Sequence, residues 1–117
     1  MYQIKEKILR NGDHERKILT IQFDQPEMAI VGEFLMTDAS LLKYQVLDKI
    51  DLVLSHEERI DYYTRNRCYL TIEYKKTKIE DLYEGIHECI LPSYTIATEK
   101  LLRLIKMWRA KKEKLNE

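Results

Sequence analysis

The stretch RCYLTIEYK, residues 67–75, alternates with a period of two. Cys68, Leu70, Ile72 and Tyr74 fall on one side, and Tyr69, Thr71 and Glu73 on the other. Successive side chains of an extended chain point to opposite faces, so this run predicts a half-buried strand. The stretch TEKLLRLIKMW, residues 98–108, follows a different period. Leu101, Ile105 and Trp108 recur at i, i+4 and i+7, with Leu102 and Leu104 widening the stripe, which predicts an amphipathic helix. Thr98 suits its N-cap, and the lysines and arginines of its last turns suit the helix dipole. A one-sided strand and a one-sided helix bury their apolar faces most simply against each other, so the pair constrains the chain to a helix-on-sheet layer.

The remaining segments fill in that frame. YQIKEKIL alternates and predicts a strand, NGD at residues 11–13 predicts a turn, and KILTIQF predicts a second strand through Leu19, Ile21 and Phe23. Pro26 cannot donate to a ladder and breaks that strand. MAIVGEFLM then reads as a third strand, with Met28, Ile30, Phe34 and Met36 on one side and Gly32 marking a bulge or a close backbone approach. Leu42, Val46, Ile50, Val53 and Leu54 restore a helical period, with Thr37 or Asp38 as the cap. After the strand at residue 68, KKTK reads as a polar turn, KIEDLYE as the returning arm of a hairpin, and CILPSYTI as a short extended piece stopped at Pro92. The expectation is an α+β fold, an antiparallel sheet in the order β-β-β-α-β-β-α with two helices packed on one face. At 117 residues this is one domain, residues 1–117, and it needs no metal or disulfide to fold.

Charge and cysteine content narrow the function classes. The formal net charge is +0, but the sign alternates along the chain. Residues 18–63 hold nine acids against three bases, and residues 100–117 hold seven bases against two acids. The neutral sum hides an acidic body and a basic tail, a layout that suits charged partners. Cys68 and Cys89 lie within alternating segments and read as buried thiols of a reducing compartment. No basic-then-apolar leader is visible, and the longest apolar runs fall far short of the roughly 20 residues that span a bilayer. A cytoplasmic protein without membrane contact is expected.

Sequence motifs for chemistry are missing. His14, His56 and His87 are scattered, HEER lacks the second histidine of a zinc-protease helix, and three glycines make no phosphate loop. The expectation is a non-enzyme with no catalytic residue, metal or cofactor. Two binding surfaces compete. Lys106, Arg109, Lys111, Lys112 and Lys114 make a basic run that suits nucleic-acid phosphates. HEERIDYYTRNRC, residues 56–68, sets Glu57, Glu58 and Asp61 before Tyr62 and Tyr63, with Arg65 following. Tyrosine and arginine are enriched among interface anchors, and eight tyrosines against two phenylalanines is a surplus of rings with one wet end. A protein partner is therefore preferred, with a nucleic-acid-binding regulator as the alternative.

The segments LLKYQVLDKIDLVLS, YYTRNRCYLTIEYKKTKIEDLYE and TEKLLRLIKMW together resemble a group of small proteins of low-GC Gram-positive bacteria, the immunity partners of secreted polymorphic toxins. The resemblance spans roughly the C-terminal two-thirds of the chain and rests on core-patterning residues. It implies a role, neutralising a toxin by stoichiometric occlusion, and it transfers no contact residue. On that role, Glu57, Glu58 and Asp61 would steer a basic partner, and Tyr62 and Tyr63 would anchor it.

Overall fold

The computed structural model describes residues 1–37, 45–64, 67–82 and 91–115. Two ten-residue strands, β1 (Tyr2–Asn11) and β2 (His14–Phe23), pair antiparallel from Tyr2↔Phe23 to Asn11↔His14. Gly12 has φ +66 and Asp13 does not share the positive sign, the pattern of a type II′ turn with glycine at its first central position. Only the base of this hairpin is buried: Ile21 and Phe23 enter the core, whereas Ile8 and Leu9 stay exposed.

The expected third strand is a helix. Pro26 opens a 3-10 turn (Pro26–Met28) that leads into α1 (Ala29–Met36). Proline at a helix start loses no hydrogen bond and arrives with φ preset, so QPE initiates rather than merely interrupts. The misreading has a physical cause. Helix α1 lies between strand β2 and strand β5 (Lys76–Asp81) and buries Ile30, Val31, Phe34 and Leu35, so it has no polar face to reveal the 3.6 period. Gly32 marks a close approach, as one reading had it: a Cβ there would stand 3.4 Å from the Ile21 carbonyl oxygen. Thr37, expected to cap the next helix, closes α1 instead, its hydroxyl donating to the Glu33 carbonyl at 2.6 Å. Asp38 and Leu42 lie outside the described residues.

Helix α2 (Gln45–Leu54) buries Val46, Ile50 and Val53, the stripe the spacing predicts. Four antiparallel strands follow in the spatial order β3-β4-β5-β6: β3 (Ile60–Thr64), β4 (Cys68–Glu73), β5 and β6 (Tyr94–Ala97). Three boundaries differ from expectation. Residues 60–64 form a strand rather than a loop, β5 begins at Lys76 within the expected turn, and β6 starts beyond Pro92. Helix α3 (Thr98–Leu115) closes the fold and buries Leu101, Leu104, Ile105 and Trp108.

The chain is thus α+β, with three described helices and two antiparallel sheets in place of two helices on one sheet. The register sorts the larger sheet into two faces. Tyr63 pairs with Leu70 and Leu70 with Ile79, placing these three with Cys68, Ile72 and Ile96 on the inner face. All three helices contribute buried residues to the cluster on that side. Two polar devices tie the layers. Arg67, just before β4, pairs with Glu33 of α1 at 3.3 Å and with Asp81 of β5 at 3.2 Å, and Asp81, with no exposed surface, also accepts the Leu91 amide at 2.9 Å. Burial opposes the charge on Arg67, but the hydrogen bond to Asp81 and the carboxylates of Glu33 and Asp81 outweigh it, and its pKa is raised. Thr98 gives its hydroxyl proton to the Glu73 carbonyl at 2.5 Å, so in the 2.8 Å contact with Thr77 the donor is Thr77.

Candidate partner-binding surface

The outer face of the four-stranded sheet follows from the same register. Tyr62 pairs with Thr71, Thr71 with Lys78, and Lys78 with Thr95, a row flanked by Thr64, Tyr69 and Glu80. These residues are exposed or half-exposed, and every described helix buries its apolar stripe on the opposite side. Tyr62 is 48% exposed, with its ring 6.1 Å from that of Tyr69. Two amphipathic rings thus stand together on an open sheet, flat apolar area with a hydroxyl at the rim.

The two adjacent tyrosines part company here, because strand alternation sends neighbours to opposite faces. Tyr63 is 3% exposed and meets Phe34 edge-on, with centroids 6.3 Å apart. It is a core residue rather than the surface anchor expected of it. Asp61 also faces inward. Its carboxylate is 3.4 Å from Lys49 of α2 and accepts the Tyr62 amide at 2.8 Å. That second bond occupies an amide of the sheet's edge strand, a device that discourages strand-to-strand addition. Asp61 therefore secures the edge rather than steering a partner. Glu57 and Glu58 are exposed in the turn after α2. Arg65 lies outside the described residues.

Helix α2 presents a further exposed face. The Lys49–Asp61 pair holds α2 against β3. Residues three and four apart share a helix face, so Asp48, Asp51 and Leu52 lie together on the side of α2 turned away from its buried stripe. Leu52, Asp48 and Asp51 are all exposed. With Glu57 and Glu58 the two aspartates make four exposed carboxylates between residues 48 and 59, against one exposed base, Arg59. Asp48, Asp51 and Leu52 interrupt the apolar stripe of α2 on its far side.

Nearby, His56 adopts φ 64, a left-handed conformation uncommon outside glycine, and its ring stacks on Tyr74 with centroids 4.4 Å apart. The contact ties the α2–β3 turn to the β4–β5 turn and holds Glu57 and Glu58 at the sheet's end. Trp108 is buried in the core and offers no stacking platform. Among the described residues no group of three His, Cys, Asp or Glu side chains is placed to hold a metal, and no helix is long and apolar enough to cross a membrane. In comparisons with protein families, curated proteins and solved structures, nothing matches the chain.

Proposed function

We propose that this protein is a non-enzymatic binding module that engages a basic protein partner through the β3 edge of its sheet. The observation that carries this reading is the open outer face bearing Tyr62 and Tyr69, with Glu57 and Glu58 exposed in the turn that leads into β3. Buried rings at the centre of an interface limit dissociation, while rim carboxylates accelerate the encounter with a positive partner. The contact is made by side chains, because Asp61 already occupies the Tyr62 edge amide. The resemblance to immunity partners of secreted toxins supports a specific form of this role: a rigid acidic surface occludes a basic, nuclease-like toxin one-to-one.

A tagged pull-down from the native cells, after nuclease treatment, tests the proposal, with the wild type run beside Y62A and E57K/E58K. One stoichiometric basic protein is expected with the wild type, reduced at least tenfold with either variant. If the captured protein kills cells when expressed alone and is silenced by the wild type, the occlusion role holds. Equal capture by all three proteins, or material that vanishes on nuclease treatment, would refute the assignment of this surface.

A further inference from the structure

The opposite end of the molecule carries the opposite charge. The hairpin arm, residues 5–17, holds five bases against three acids, and residues 106–115 of α3 hold five bases against one acid. The two elements border an open groove of about 650 Å³, lined by Glu6, Lys17 and Leu19 from the hairpin and by Lys111, Lys114 and Leu115 from the helix. Lys111 and Lys114 are three residues apart and so share one helix face. Among the described residues, no carboxylate stands within ion-pair distance of Arg16, Lys17, Lys111, Lys112 or Lys114. Folding brings these cations together without neutralising them. The mutual repulsion is visible at Lys112, whose pKa is lowered first by burial and then by Arg16. A bound polyanion would relieve that repulsion.

The chemistry of the groove selects among polyanions. No aromatic ring lines it, and Trp108 is buried, so bases have nothing on which to stack and a single strand has no preferred purchase. Ile8 and Leu9 are exposed, but as neighbours on β1 they point to opposite faces of the hairpin and offer no common apolar face to lipid. The turn beside them carries Asp13 and Glu15 as well. What remains is a set of point charges on two rigid elements, one of them a two-stranded ribbon of the width that a duplex major groove admits. We infer that the hairpin arm and the basic end of α3 form a second binding surface, one that grips the phosphate backbone of double-stranded nucleic acid without reading its sequence.

The test is fluorescence anisotropy with a labelled 20-base-pair DNA duplex, titrated between 50 and 200 mM salt. Contacts to three to five phosphates give a salt slope of about −2.7 to −4.5, so affinity is expected to fall roughly 40- to 500-fold over that range. The milder variant K111Q/K114Q should flatten the slope by about two, and K17E/K111E/K114E should abolish binding while keeping the wild-type circular dichroism. Y62A and E57K/E58K should bind the duplex as the wild type does, which separates this surface from the one proposed above. Absence of duplex binding at 50 mM salt would overturn the inference, as would an unchanged slope in K111Q/K114Q. Retention on phosphatidylserine vesicles with none on the duplex would overturn it too, assigning the groove to an anionic membrane.

Discussion

Tyr62 and Tyr63 are chemically identical neighbours, and the register gives them opposite fates. Tyr63→Ala removes a ring that is 3% exposed and packed edge-on against Phe34. Truncating a large buried aromatic loses its transfer free energy and leaves a cavity between α1 and the sheet, a cost of roughly 3–5 kcal/mol. For a chain of this size that lowers Tm by roughly 10–20 °C. Tyr62→Ala removes a half-exposed ring whose main neighbour is Tyr69 across the strand pair, worth about 0.5–1 kcal/mol. Urea unfolding followed by circular dichroism, with both variants in one buffer, measures the difference. Y63A is expected to lose at least three times as much stability as Y62A, and Y62A to lose partner capture while remaining folded. Equal losses, or the reverse order, would refute the register, because a one-residue slip exchanges the two faces of a strand.

Two further outcomes follow from the polar groups. Asp81→Ala leaves Arg67 with Glu33 as its remaining carboxylate partner and takes the acceptor from the Leu91 amide, so a loss of about 2–3 kcal/mol is expected. D81N, which keeps an acceptor oxygen but no charge, should fall between it and the wild type, and D81A within about 1 kcal/mol of the wild type in urea unfolding would contradict the ion-pair account. The lowered pKa of Lys112 means that the unfolded chain binds more protons than the folded one between the depressed value and the ordinary lysine value. Stability should therefore rise with pH across that alkaline window, the penalty being fully present at neutral pH. K112M should flatten this rise relative to the wild type, and identical pH profiles would argue against the Lys112–Arg16 repulsion.

What was legible in the sequence tracks how one-sided each element is. Strand β4 and helices α2 and α3 each bury one face, so their periods of two and 3.6 stand out at Leu70, Ile72, Val46, Ile50, Leu101 and Ile105. Helix α1 is covered on two sides, which erased the period and let Ile30 and Phe34 pass for strand residues. Strand β3 was hidden because Asp61 points inward at a sheet edge, where Lys49 makes a buried-side carboxylate tolerable. The same charge in place of a hydrophobe hides the alternation that separates Tyr62 from Tyr63. Glu57, Glu58 and Tyr62 remain at the surface.

On the proposed function, a partner sits at the β3 edge. A photo-crosslinking amino acid placed at residue 62, and in a control at the exposed Thr95 of the far edge strand, tests it inside native cells. The account expects position 62 to give a single protein adduct of basic charge and position 95 to give none. Adducts at 95 but not 62, or none at 62 while the pull-down still yields a stoichiometric protein, would contradict it.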